Sequence, residues 1–542
     1  MMSGRLSTGG RRLDFTRSFL YVSIIRPERD ERLFQNLTLI LSNRLNRVHM
    51  RKIVFLAIIS LLSCCHGIFA QEQLYGIPID FSRVGYRWSE VEVPDYPVVK
   101  EIQAPGPGID ATLIIQTAID NCPEGGTVLL KAGQYDIADR IVIERSGVIL
   151  RGEGDGTVLK AMGKDTRPLV TLGKSTKRII GDGCAIADKF VPTGQMWVSV
   201  KKPQMFKEGD RVVVRFHPSP KYFSAIKMDK IPQNKENNVV QWTPDRYEMA
   251  WERIVMKVDG NKLWFDNPMV LEMDQKYAWL MTVNHTSWDR IQESGIENIR
   301  MVSDYDPSVV DKKGNMVDEE HSDCAISVRA AEHCWIKGVN SYYFANKNTC
   351  MDNGSKNITV MDCECLEPVS KIMGGRRYAF YISRGELCLV KNCHADKDRH
   401  AFVTARITAG PNVYLDCELT NAYAGVGPHQ RWATGVLYDC CVMDGLLELQ
   451  DRHNWGTGHG WAGVNHVLWN CESKTIVCQN PWAHGKNWAV GCIGEKFAGR
   501  PYLDGLVRPD GEWHSPGKHV EPRSLYYHQL QERNEKEIKV FK

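Results

Sequence analysis

Ile358-Thr-Val-Met-Asp-Cys363, Cys388-Leu-Val-Lys-Asn-Cys393, Val413-Tyr-Leu-Asp-Cys417, Val436-Leu-Tyr-Asp-Cys440, Val467-Leu-Trp-Asn-Cys471 and Trp488-Ala-Val-Gly-Cys492 are six versions of one phrase. The cysteines follow one another at steps of 30, 24, 23, 31 and 21 residues, and one more step of 23 back reaches Asn340, after Trp335-Ile-Lys-Gly-Val. A repeat of this length with a β-type run in every copy marks a solenoid. The runs are short, rich in Val, Ile, Tyr and Trp, and punctuated by Gly and Asn, which excludes helical repeats. The expected architecture is all-β: a parallel β-helix whose coils stack about 4.8 Å apart, with the cysteines as an inward ladder.

Thirteen residues beyond each ladder position stand Arg376, Arg406, Gln430, His453 and His484, and Asn353 from Asn340. Equal offsets in a solenoid define one column on one face. His429 and Arg431 flank Gln430, Arg452 and Asn454 flank His453, and Tyr378, Trp432, Trp455, Trp461 and Trp482 edge the column. A solvated polar face with structural tryptophans is the plainer reading, but solvated faces mix Lys with Glu, and this one concentrates Arg, His, Asn and Trp. The densest groups are Asp398-Arg399-His400, Gly427-Pro428-His429-Gln430-Arg431-Trp432 and the run from Asp451 to Trp461, which includes His459. Glycine-rich loops of this kind let a ligand approach the backbone.

Cleavage of a uronic-acid polysaccharide by β-elimination suits such a column. Cations or donors neutralise the carboxylate and stabilise the enolate-like state; Arg406, Arg431 and Asn454 are placed for it. A histidine near neutrality suits the base: His453 or His429, with Tyr423, Tyr438 or a second histidine such as His400 as the acid. Arg376, Arg399, Arg452, His459 and His484 would contact substrate, and Trp432, Trp455 and Trp461 would stack on sugar faces. A glycoside hydrolase needs two carboxylates about 5–9 Å apart, for which Asp398, Glu448 and Asp451 are candidates. A non-catalytic glycan-binding protein is the third reading.

Residues 1–49 are Arg-rich and aperiodic. Met50-Arg51-Lys52 followed by Ile53-Val-Phe-Leu-Ala-Ile-Ile-Ser-Leu-Leu-Ser-Cys64-Cys65 is a charged n-region and an apolar h-region, so residues 50–70 read as a signal peptide, too short for a membrane span. Met50 is then the expected start, with residues 1–49 an upstream extension. Cleavage after Ala70 gives a soluble exported protein; the lipobox-like Leu61-Leu62-Ser63-Cys64 gives a surface lipoprotein anchored at Cys64. Of the 68 Lys+Arg and 65 Asp+Glu, residues 1–70 carry 11 and 4, so the mature charge is about −4. Nucleic acid is therefore excluded as an expected partner, and cationic character must be local. A monomer acting on an acidic polysaccharide is expected. Fifteen cysteines remain outside the leader; as ladder fillers they should be free, buried thiols. Their spacing offers no zinc site.

Residues 71–189 should hold a cap and the first coils. Asp110-Ala-Thr-Leu-Ile-Ile-Gln-Thr-Ala-Ile-Asp120 has helical spacing, with Leu113, Ile114 and Ile119 as its apolar face and Asp110 as N-cap. Gly126-Thr-Val-Leu-Leu and Gly147-Val-Ile-Leu read as strands. Asp110-x-Thr-x-x-Ile-x-x-Ala-Ile-Asp, followed by Gly-Gly-Thr-Val and Ala-Gly-x-Tyr, resembles the opening of the pectate-lyase-like superfamily of right-handed β-helix proteins, over roughly residues 105–185 and 290–496. The resemblance implies a right-handed parallel β-helix with an N-terminal capping helix, and a lyase, glycoside hydrolase or phage depolymerase. Lyases of this superfamily often use Ca²⁺ or an Arg or Lys base, patterns the column does not carry. Gly458-His459-Gly460 is similar to the Gly-His-Gly of polygalacturonases, without their paired aspartates.

Residues 190–290 alternate like antiparallel strands around a polar stretch from Lys227 to Arg246 and read as an inserted β-module bordering the coil. The main β-helix is expected over 291–496. Asp304, Asp306, Asp311, Asp318, Glu319 and Glu320 form an acidic loop: a solvated loop, or a Ca²⁺ site, although no cofactor is required by the chemistry above. Residues 497–542 form a Gly/Pro-rich tail ending in a short amphipathic helix.

Overall fold

Three stacks of parallel strands form the sides of a coil that repeats along the chain. In the computed structural model, which describes residues 74–500, 502 and 504–540, the first stack runs from Val98–Ile102 through Thr359–Met361 and Val436–Asp439 to Glu512–His514. The second includes Glu364–Leu366, His394–Asp396, Glu418–Thr420 and Glu472–Cys478. The third runs from Ile141–Ile143 through Phe380–Ile382 and Phe402–Thr404 to Gly427–Pro428. The fold is an all-β parallel β-helix. The expected signal peptide and the cysteine of the lipobox lie outside the described residues.

The cysteine ladder forms with one correction. Cys363, Cys393, Cys417, Cys471 and Cys492 are buried, but the rung between 417 and 471 is Cys441, not Cys440. Asp439 pairs with Leu415 below and Trp469 above, so Cys440 aligns with Asp416 and Asn470. That position makes the bend between the first and second stacks. It is left-handed in every coil: φ is 55° at Asp362, 52° at Asn392, 50° at Asp416, 54° at Cys440, 48° at Asn470 and 66° at Gly491. Asn, Asp and Gly tolerate this conformation best, which is why they precede the ladder cysteines. The strand Val436–Asp439 is one residue longer than Val467–Trp469, so its aspartate imitates the bend residue without occupying the bend. The same one-residue slip replaces Asn340 by Val339, whose N–H donates to Cys363 Sγ at 3.4 Å.

All fifteen cysteines from Cys122 to Cys492 are free, and all but Cys350 and Cys440 are buried. Cys441→Ser should therefore cost about 1–3 kcal/mol through a buried, poorly satisfied hydroxyl, whereas Cys440→Ser should stay within about 0.5 kcal/mol. Denaturant unfolding of the two variants checks the assignment; equal losses would contradict it.

Inside the coil, like side chains stack. Phe380 and Phe402 lie 5.4 Å apart and parallel, and Tyr414 and Tyr438 5.1 Å apart. The helix Thr112–Asp120 buries Ile115 and Ile119, one turn apart, while Leu113 and Ile114 face solvent; the apolar face is narrower than the sequence suggests. Its Gln116 side chain accepts from Val142 N–H at 2.8 Å and donates to Val142 O at 2.9 Å, closing the open edge of the third stack.

The inserted module is a six-stranded antiparallel sheet ordered Ile179–Ala185, Ala278–Ser287, Arg211–Pro218, Met249–Asp259, Lys262–Phe265 and Trp197–Ser199. It begins at Ile179 rather than 190. A buried ion network fastens it to the coils. Glu252 accepts from Arg290 at 2.8 and 2.9 Å and lies 3.3 Å from Lys356 and 3.4 Å from Arg211. The neighbouring Arg253 pairs with Glu386 at 2.6 Å. The helix Leu525–Val540 packs back on the segment before the first coil: Gln529 accepts from Phe81 N–H and donates to Ile79 O, each at 2.9 Å, and Ser524 donates to Asp439 at 2.7 Å.

Candidate functional site

The ends of the third-stack strands gather the histidine and arginine side chains of the candidate site. Tyr378, Arg399 and His400 lead into Phe380–Ile382 and Phe402–Thr404; His429 follows Gly427–Pro428; Arg452 and His459 belong to the loop after Val442–Leu449. Parallel stacking brings these turns together. Ring centroids lie 4.6 Å apart for His400 and His429, 4.9 Å for His429 and His459, and 5.3 Å for Tyr378 and His429.

The hydrogen bonds fix the tautomers. Arg452 Nη1 donates to His429 Nδ1 at 2.8 Å and to His429 O at 3.0 Å. A guanidinium only donates, so Nδ1 is bare and the proton of neutral His429 sits on Nε2, which faces Tyr378 Oη at 3.4 Å. His400 donates from Nδ1 to Gly425 O, leaving a bare, buried Nε2. His459, half-buried, has no hydrogen bond at either ring nitrogen.

Burial, reinforced by the Arg452 charge, pushes His400 and His429 well below the usual histidine range. The same causes, with Arg431, lower His459 to about 3. Desolvation disfavours the charged imidazole and nearby guanidinium groups add to the effect. The result is three neutral imidazoles set among cations at neutral pH. Arg452 is buried, its nearest carboxylate Glu448 is 4.0 Å away, and its guanidinium lies 5.2 Å over Trp455. Arg399 and Tyr378 are half-buried at the rim, and the exposed Arg500 lies 4.7 Å from the Trp455 ring.

The other sequence candidates fall elsewhere. The thirteen-residue column breaks because the loop between Leu366 and Phe380 is longer than its equivalents, so Arg376 precedes a third-stack strand while Arg406 follows one. Arg376 is paired with Glu319 of the acidic loop. His453 is buried against Asp504, 3.1 Å away, and Tyr502. His484 lies on Tyr222 with its Nδ1 3.1 Å from Glu272. Trp432 and Trp461 are 1% and 0% exposed and donate to Tyr222 Oη and Ile226 O. They anchor the inserted module and have no face left for a sugar. Asn454 O accepts from Asn234 of the module loop at 2.6 Å. Arg431 donates to Thr457, and the Arg406 guanidinium lies 5.5 Å from Tyr247.

Tyr438, a candidate acid, is in the core and donates to Phe402 O at 3.1 Å. The three carboxylates of the hydrolase reading are also sealed. Asp398 and Asp451 are 0% exposed and Glu448 4%. Asp451 is held by Arg508 at 2.9 and 3.0 Å and Glu448 by Gln450. Burial pushes Asp398 up to about 8 against the opposing Arg377 charge. None of the three faces the rim. Sequence reasoning saw Tyr378 only as an aromatic edge; its role depends on facing His429, 51 residues away, a contact set by loop length.

The carboxylates of the acidic loop are met by its own backbone and side chains and by lysine and arginine from neighbouring segments. Asp306 accepts from Ser308, Asp311 from Asn315, and Asp318 from the Asp306 and Glu320 N–H groups, while Glu319 binds Arg376 and Lys371. Among the described residues no group of three or more His, Cys, Asp or Glu is arranged to hold a metal ion.

No family model matches the sequence, and no curated protein does. Among solved structures the chain is similar to ORF18 of Geobacillus virus E2, with TM-score 0.38 and 10% identity over 77% of this chain; it spans 59% of that protein's length. It is similar to an alginate lyase from Paenibacillus sp. str. FPU-7, with TM-score 0.38 and 8% identity over 78% of this chain and 100% of that one. For pectate lyase Pel9A the values are 0.38 and 8%, over 79% and 82%. At such identities the likeness is one of chain path and assigns no role to any residue here.

Proposed function

We propose that this protein is an exported carbohydrate-active enzyme, a polysaccharide lyase that cleaves an acidic, uronate-containing glycan by β-elimination. The observation that carries the reading is the Tyr378–His429–Arg452 relay beside a neutral, unengaged His459. Arg399 at the rim, with the buried Arg452 charge behind it, neutralises the uronate carboxylate and lowers the energy of the enolate-like state. His459 takes the C5 proton. The C5 electron pair forms the C4–C5 double bond, the C4–O4 bond breaks, and Tyr378 protonates O4. His429 acts through Tyr378: its Nε2–H orients the phenol, and Arg452 keeps it in that tautomer. Trp455 offers the stacking face.

Ultraviolet absorbance of an unsaturated uronate, followed across a panel of acidic polysaccharides, tests the reading. Reducing ends without absorbance would indicate hydrolysis. Binding with no product, even at high protein concentration, would indicate a non-catalytic glycan-binding protein. Activity is expected to survive chelation of Ca²⁺, since no step above uses a metal. Export rests on residues 50–70, and mass spectrometry of the mature N-terminus separates a chain beginning at Gln71 from a lipidated Cys64.

A further inference from the structure

A cleft of about 460 Å³ lies where the inserted module meets the coils, lined among others by Arg178, Arg246, Arg384, Arg406, Trp288 and Asn353. It shares no lining residue with the Tyr378 cluster, and it carries four arginines against three carboxylates. Of its carboxylates, Glu248 is taken by Arg215 at 2.5 and 3.0 Å, and Glu386 by Arg253 and by the Glu252 N–H. Asp245 lies 4.0 Å from Arg246. Arg384 is exposed and its guanidinium has neither hydrogen bond nor ion pair. Arg178 lies 5.2 Å and Arg290 4.8 Å over the Trp288 ring, and the Arg178 guanidinium reaches Glu252 at 4.0 Å, while Arg178 Nε and Trp288 Nε1 are buried without a partner. Unsatisfied buried donors are costly, and here they line a concave, cationic, aromatic-walled space.

We propose that this cleft is a subsite for an anionic sugar group, a carboxylate or a sulfate ester, borne by the glycan away from the bond that is cut. Arg384 and Arg246 grip the anion. The proposal deepens the lyase reading and shares its assumption of an acidic glycan substrate, but it concerns binding alone. The inserted module thereby serves as a specificity wall that the coils by themselves lack.

The experiment is calorimetric titration of the full chain with an oligogalacturonate hexamer, a sulfated galactan hexamer and an uncharged galactan hexamer. At least one charged hexamer should bind and the uncharged one should not; which one binds distinguishes carboxylate from sulfate. Arg384→Ala, at an exposed position, should weaken binding about tenfold or more, and adding Arg246→Ala should weaken it further. Undiminished binding by the double variant, or no binding of either charged hexamer, would overturn the subsite. Formation of unsaturated product by the wild type under the same conditions would leave the lyase reading standing, so the two ideas fail separately.

Discussion

Tyr378→Phe is expected to lower kcat by about 10²–10⁴-fold, the range for loss of a positioned acid or base, with KM nearly unchanged. The phenol keeps its ring contacts with His400 and His429 and loses only the oxygen that faces His429 Nε2. His459→Ala should produce a loss of the same order. His429→Ala should also be slow, but through displacement of Tyr378. The pH profile gives an independent signature. A base must be neutral to act, and His459 is lowered to about 3, so kcat/KM should stay level as pH falls through 6.5, where an ordinary histidine would be protonated. An acid limb near 6.5 that vanishes in His453→Ala would instead make His453 the base.

Glu252→Ala is expected to cost about 3–5 kcal/mol, because it strands buried cations without their partner. Arg290 and Lys356 would keep their charges, with Glu332 and Glu386 left as the remaining anions of the network. The sign of the pH dependence follows. Despite the burial that opposes it, the surrounding cations hold the Glu252 carboxyl well below its ordinary 4.5. A depressed acid contributes stability that is present above the unfolded value and is lost as pH falls through the folded one. Wild-type stability should therefore fall below pH 4.5 more steeply than that of Glu252→Ala. Parallel pH dependences of the unfolding midpoint would contradict the network's role. Since this network fastens the module to the coils, the variant should also open the arginine-lined cleft.

The coil was legible because its cause is local. A bend that needs left-handed φ selects Asn, Asp or Gly, the next position points inward and takes a small apolar residue, and the two together make the recurrent Asp-Cys or Asn-Cys. Where two cysteines follow one another, at Cys440 and Cys441, the local phrase is ambiguous and only strand pairing decides. The candidate site was legible as a set of residues and not as a geometry. Arg399, His400, His429, Arg452 and His459 were all in the sequence-derived group and do meet. A fixed offset of thirteen, however, cannot follow loops of unequal length, and it gathered His453 and His484, which belong to other contacts. Trp432 and Trp461 misled because a tryptophan beside a glycine-rich loop reads as a ligand platform, whereas here the module supplies its partner. Tyr378 was undervalued for the same reason: its meaning comes from His429, a neighbour in space alone.

On the proposed function the Tyr378 cluster eliminates and does not hydrolyse. Mass spectrometry of the products from a single cut in a defined acidic oligosaccharide tests it most directly. Elimination divides the substrate without adding anything, so the two product masses should sum to the substrate mass, and Tyr378→Phe should yield almost none of either. Product masses that sum to the substrate plus one water would show hydrolysis and rule out elimination.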